Sequence, residues 1–243
     1  MAKENDTFVV EKSGQTARGA SFRVAEAYRM IRTNLLFTLA NAENHIVVFA
    51  SAEPGAGKST LCSNQAILMA QTGARVLLLD ADMRKPVQHR HFHLRKSEGL
   101  SKILCGMSEI ETCLHKDVVP NMDVILSGSI PPNPSELLGS VRMQKLLEWA
   151  DKEYDYVFMD MPPLNVVTDA LVVAPMAAGL VLVTRQRQTT YEEVQGSIEA
   201  IEQARANLLG VVITDVREAI AGHGLYERKY YYRSYDYSYG KKP

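Results

Sequence analysis

An apolar run that ends in a glycine-rich turn and passes straight into a helical pattern leaves few folds open. Residues 45–73 are such a stretch: HIVVFAS, then AEPGAGKST, then LCSNQAILMAQTG. Ala52-Glu53-Pro54-Gly55-Ala56-Gly57-Lys58-Ser59 fits a relaxed phosphate-loop pattern in which alanine takes the place of the first glycine. Gly55 and Gly57, on either side of Ala56, let successive backbone N–H groups curl around phosphate oxygens, and the helix start behind them adds partial positive charge. Lys58 can reach the β- and γ-phosphates, and the Ser59 hydroxyl suits Mg2+. An ordinary turn before a helix is the plainer reading. A Gly-Lys-Ser-Thr run opening a helix directly after an apolar strand favours a nucleoside triphosphate site instead.

The rest of the chain repeats this alternation. The runs HIVVFAS, RVLLLD, MDVILSG, YVFMD, GLVLVT and LLGVVIT are mostly continuous in their apolar character, as expected of parallel strands covered on both faces. Segments such as PSELLGSVRMQKLLEWADKEY and TTYEEVQGSIEAIEQAR are long enough for crossover helices. The fold class expected is α/β, a doubly wound and mainly parallel sheet with a phosphate loop. Before it, residues 20–42 carry Val24, Ala27, Ile31, Leu35 and Leu39 at helical spacing. Three divisions follow: a polar segment 1–19, a phosphate-loop domain 20–216 with that helix at its start, and a flexible tyrosine-rich tail 217–243.

Carboxylates mark two further strand ends. VLLLDADMRKP places Asp80 and Asp82 where open α/β sheets have their ligand crevice. Side chains two apart share a face, so both can turn to one Mg2+–phosphate cluster. One could hold metal-bound water while the other accepts a proton from an incoming hydroxyl. YDYVFMDMPP ends on Asp160, a second metal-side carboxylate by the same logic. Either motif could instead be acids that merely close a strand.

Length and charge narrow the classes. A chain of 243 residues, 46% hydrophobic, can build one α/β domain or two small ones, and a net charge of −1 gives no bias toward nucleic acid or membranes. Three scattered cysteines, Cys62, Cys105 and Cys113, read as free thiols in a reducing compartment. The opening MAKENDTFVVEKSG does not resemble a signal peptide, and ALVVAPMAAGLVLVT is too short to span a membrane and is broken by Pro175 and Gly179. A cytoplasmic protein is expected, peripheral to a membrane only through a partner.

Taken together, SAEPGAGKST, VLLLDADMRKP, VFMDMPP and the PPNPSELLGS segment at 131–140 resemble the bacterial protein-tyrosine kinases of capsular and exopolysaccharide synthesis, the BY-kinases. The likeness is specifically to the cytoplasmic ATP-binding subunit of the Gram-positive two-component type, from about residue 20 onward. The resemblance implies ATP and Mg2+ as cofactors. Lys58 would bind phosphate and Thr60 would face the nucleotide. Asp80 would accept the tyrosine proton, and Asp82 and Asp160 would hold the metal. Glu26, Arg29 and Arg32 fit an E-x-x-R-x-x-R motif that assembles such kinases into rings. A transmembrane activator, the polysaccharide co-polymerase subunit, would be the partner at the inner membrane face, and other protein substrates are conceivable. Two positions depart from the pattern: Met161 stands where Thr or Ser is usual, and Thr214 where an Asn follows the last strand. A switch ATPase of the partitioning or division-site type is the second reading. Those proteins carry a lysine early in the loop, where this chain has Glu53. A nucleotide-binding scaffold without chemistry is the third.

The tail then gains a reason. YERKYYYRSYDYSYGKKP holds Tyr226, Tyr230, Tyr231, Tyr232, Tyr235, Tyr237 and Tyr239, with five cations against two acids. These phenols are expected to be autophosphorylation sites, presented in trans within a ring. A flexible chain of the 27 residues after Val216 has a span of roughly 25–30 Å, enough to reach a neighbouring subunit. His89, His91 and His93, in RKPVQHRHFHLRK, read as part of a basic loop beside the site rather than a metal centre. Arg84 either steers phosphate or a neighbouring tail, or forms a strand-end ion pair, and Trp149 is expected in the core.

Overall fold

The computed structural model describes residues 22–95 and 98–216. The segment 1–19 and the tail 217–243, with all seven of its tyrosines, lie outside the described residues. Helix α1 (Phe22–Leu39) leads into β1 (Ile46–Ser51), the glycine loop, α2 (Lys58–Ala70) and β2 (Val76–Asp80). Three short helices follow, α3 (Gln88–His91), α4 (Leu100–Cys105) and α5 (Ile110–Cys113), and then the hairpin of β3 (Leu114–Val119) and β4 (Met122–Ile125). Helices α6 (Pro134–Leu138) and α7 (Val141–Glu153) precede β5 (Tyr156–Asp160). Helix α8 (Asp169–Val173) precedes β6 (Gly179–Arg185), and α9 (Tyr191–Gln203) precedes β7 (Leu208–Thr214).

The strands form one seven-stranded sheet in the order β3-β4-β2-β5-β1-β6-β7. All neighbouring pairs are parallel except β3 and β4. Strand alternation divides the apolar residues between two layers. Val47, Phe49, Leu78 and Phe158 face α1 and α2, whereas Val48, Leu77, Leu79 and Met159 face α4, α7, α8 and α9. Burial on both faces is why β1, β2 and β5 read as unbroken apolar runs. The α/β doubly wound class expected from the sequence is the architecture found.

Two elements differ from expectation. The run LHKDVV carries Lys116 and Asp117 in its middle, with Asp117 at φ 49°, and only Val119 is buried. It has no period of its own, yet β4 pairs it antiparallel at the sheet edge, and charged residues suit an edge. In α1, Val24 is exposed and so is Ala27; Ala25 and the partly buried Tyr28 turn inward in their place, while Ile31, Leu35 and Leu39 pack as expected. Arg32 and Tyr28 occupy the inward face through hydrogen bonds to α2: Arg32 Nη1 donates to the Leu68 carbonyl at 3.2 Å, and Gln65 Nε2 donates to the Tyr28 carbonyl at 3.0 Å. Counting apolar residues alone therefore misplaced the helix face by one position at its start. Trp149 is half-buried on α7, edge to face with Tyr154 at 5.9 Å.

Candidate functional site

The glycine loop is held open from outside. Its four successive carbonyls each accept a side-chain hydrogen bond: Glu53 O from Ser51 Oγ at 2.7 Å, Pro54 O from Gln188 Nε2 at 2.9 Å, Gly55 O from Arg185 Nη1 at 3.1 Å and Ala56 O from Thr214 Oγ1 at 2.7 Å. In a planar trans peptide the N–H points opposite to the carbonyl, so the N–H groups of Gly55, Ala56 and Gly57 turn the other way, into the loop. Gly55 and Gly57 have φ of +82° and +86°, values that a side chain disfavours. Gly57 caps α2 without help from any side chain, which leaves the first N–H groups of that helix for a ligand.

Beneath the loop the acidic residues converge. Asp80 and Asp160 are register partners on β2 and β5, and both point to the α2 face. Lys58 Nζ lies 3.0 Å from Asp82 Oδ2, 3.0 Å from Asp160 Oδ1 and 3.1 Å from Ser59 Oγ. Burial favours a neutral Lys58, but the charges of Asp160 and Asp82 outweigh it and raise the pKa of the ammonium. Asp80 shifts the other way for its type. Burial first, then the charge of Asp160, pushes its carboxyl well above the usual range. Its Oδ1 is buried and has no hydrogen-bond partner among the described residues.

These groups fit a Mg2+ nucleotide. Ser59 Oγ, Asp82 and Asp160 are hard oxygen donors already gathered around a cation, the Lys58 ammonium. Two carboxylates and a hydroxyl are what Mg2+ takes from protein when phosphates and water complete its shell. Thr60 is partly exposed on the first turn of α2. Met161 is fully buried on the opposite layer from Asp160, among Ala52, Ala81 and Met159. Strand alternation thus keeps its side chain out of the phosphate cradle. The Thr214 hydroxyl braces Ala56 and reaches the Thr184 carbonyl at 3.2 Å.

Three groups of supporting residues escaped the sequence reading. Gln88 touches Asp80, Asp160 and the loop helix. Arg185 and Gln188 hold the loop from the end of β6 and the turn after it. Ser135, inside PPNPSELLGS, donates to the buried Asp169, which also pairs with Arg84 at 2.9 and 3.0 Å. The PPNPSELLGS signature was visible, but its partner lies on another element. Arg84 is therefore a strand-end ion pair. His91 Nδ1 lies 3.0 Å from Ser63 Oγ, and among the described residues no three His, Cys, Asp or Glu side chains gather as a metal cluster. Glu26 and Arg29 pair with each other at 2.9 Å on the exposed side of α1, while Arg32 turns to α2. Their three-residue spacing does not give one shared solvent face.

Residues 44–209 match the AAA domain family. The chain is 40% identical over 189 residues to tyrosine-protein kinase YwqD of Bacillus subtilis, covering 78% of this chain and 80% of that one. The chain belongs to the bacterial tyrosine-protein kinases. Tyrosine-protein kinase wzc of Salmonella typhimurium is another member, 38% identical over 208 residues that make up 84% of this chain. This chain spans only 29% of the length of that relative. Among solved structures, the kinase domain of Escherichia coli tyrosine kinase ETK superposes with a TM-score of 0.81 at 35% identity, covering 95% of this chain and 88% of that one. No described helix of this tyrosine-kinase family member is long and apolar enough to cross a membrane.

Proposed function

We propose that this chain is an ATP- and Mg2+-dependent protein-tyrosine kinase that phosphorylates its own C-terminal tyrosines. The observation that carries this reading is the free Asp80 Oδ1, buried beside a Lys58–Asp82–Asp160 cluster under an outward-braced glycine loop. The N–H groups of Gly55, Ala56 and Gly57, with Lys58, Ser59 and Thr60, bind the triphosphate. Ser59, Asp82 and Asp160 would hold Mg2+, whose charge would offset that of the phosphate oxygens. The phenolic oxygen of an acceptor tyrosine forms a bond to the γ-phosphorus as the bond to the β-phosphate oxygen breaks and ADP leaves. Asp80 takes the phenol proton at Oδ1.

The acceptors are Tyr226, Tyr230, Tyr231, Tyr232, Tyr235, Tyr237 and Tyr239, reached in trans within a ring formed through Glu26, Arg29 and Arg32. The family membership supports a role in regulating capsular or extracellular polysaccharide synthesis, since relatives bear names such as "Putative tyrosine-protein kinase in cps region" from Klebsiella pneumoniae. A transmembrane co-polymerase subunit serves as activator and holds the chain at the inner face of the cell membrane. The test is incubation with Mg-ATP and that subunit's cytosolic segment, read with an anti-phosphotyrosine probe. Wild type is expected to gain signal that Lys58→Met and EDTA each abolish by more than ~100-fold. Nucleotide binding without phosphotyrosine would contradict the kinase reading.

A further inference from the structure

Gln88 opens the short helix α3, and its whole side chain is buried. Nothing in the residue pattern singles it out, yet it makes four hydrogen bonds within the acidic cluster. Its backbone N–H donates to Asp80 Oδ2 at 3.2 Å. Its Nε2 donates to Asp160 Oδ2 at 2.7 Å and to the Ser59 carbonyl at 3.3 Å. Its Oε1 accepts from the Ser63 hydroxyl at 2.6 Å.

The orientation of the amide follows from its neighbours. Both groups facing Nε2, a carboxylate and a carbonyl, can only accept, so a flipped amide would set three oxygens against one another. Ser63 is one turn beyond Ser59 on α2, and its single hydroxyl proton lies between two acceptors, Gln88 Oε1 at 2.6 Å and the Ser59 carbonyl at 2.8 Å. With its proton shared toward Gln88, that hydroxyl can accept from His91 Nδ1 at 3.0 Å. The amide is locked from both sides.

We infer that Gln88 is a positioning residue of the phosphoryl-transfer site, a clamp that ties one oxygen of Asp80 and one of Asp160 to the loop helix. The clamp selects which oxygens remain for chemistry. Asp160 keeps Oδ1, which faces Lys58, and Asp80 keeps the unpartnered Oδ1. It also places donors against two carboxylates that the sheet register forces side by side, which would otherwise repel. Gln88 touches neither nucleotide nor acceptor in this scheme; it acts through the two acids. In its catalytic aspect the inference rests on the kinase reading above, but the holding of Asp160 does not.

Two readouts therefore separate the claims. The first is calorimetric titration of ADP at a series of Mg2+ concentrations, which needs no transfer. The second is kcat and KM for tail phosphorylation. Gln88→Leu keeps the size and backbone N–H but removes the amide. It is expected to raise the Mg2+ needed for half-maximal ADP binding about tenfold, and to lower kcat about 10- to 100-fold with KM for ATP changed less than about threefold. Ser63→Ala keeps Gln88 but frees its amide, and is expected to lose about three- to tenfold on the same readouts. Circular dichroism establishes that each variant is folded, and Ser63→Ala decides alone should Gln88→Leu not fold. A folded variant within twofold of wild type in both readouts overturns the clamp. Wild type that binds Mg-ADP but forms no phosphotyrosine overturns the kinase reading instead, and the clamp is then judged on Mg2+ dependence.

Discussion

Asp169 lies fully buried at the start of α8, and its charge is met by the fork of Arg84 and by the Ser135 hydroxyl. Arg84 follows Asp82 by two residues, so this ion pair ties the end of the acidic strand to α6 and α8. Removing one partner of a buried charge costs more than the pair itself contributes. Arg84→Ala should lower unfolding free energy in urea by about 2–3 kcal/mol, because Ser135 still satisfies part of Asp169. Ser135→Ala should cost about 1 kcal/mol. An Arg84→Ala loss below about 0.5 kcal/mol would show that solvent already screens the pair. At this scale the sequence was half legible. Lys58, Ser59, Asp82 and Asp160 announce themselves by motif and do meet in space. Arg84 was readable only as a choice between phosphate, a neighbouring tail and a carboxylate, because its partner is 85 residues away. Gln88, Arg185 and Gln188 carry no local signal, since each acts through a backbone carbonyl or a carboxylate on a distant element.

At the level of elements, α1 shows how one helix can serve two surfaces. Leu35, Leu39 and the Arg32–Leu68 bond fix it to α2, while the Glu26–Arg29 pair remains in solvent. An exposed pair three residues apart contributes only a few tenths of a kcal/mol to the fold. The double variant Glu26→Ala, Arg29→Ala should thus leave stability within about 0.5 kcal/mol of wild type. If these residues assemble the ring, it should nevertheless shift sedimentation from an oligomer to a monomer. Unchanged sedimentation would remove them from the interface. Arg32→Ala is expected to reduce stability and assembly together, because its guanidinium is already committed within the subunit. The elements themselves were legible wherever burial on both faces made a continuous apolar run, as in β1, β2, β5 and β6. They were not legible in β3, whose pairing with β4 supplies what its own sequence lacks. In α1 the first turns misled, because a tyrosine and an arginine hold the inward face where apolar residues were sought.

Across the whole molecule, the sheet order brings the loop after β1, Asp160 at the end of β5 and Arg185 at the end of β6 onto adjacent strands. Asp80 arrives beside Asp160 from β2. Strand β7 ends with Thr214 against the loop, on the side where phosphoryl transfer is proposed. Met161 is buried on the far layer, with its side chain on the opposite face from Asp160. The most direct measurement is phosphopeptide mass spectrometry of the full chain after incubation with Mg-ATP and the activator's cytosolic segment, with Lys58→Met alongside. Phosphate on several of Tyr226 to Tyr239 in wild type, and on none in Lys58→Met, is the expected result. A tail without phosphate while ATP is bound and activator is present would contradict the account.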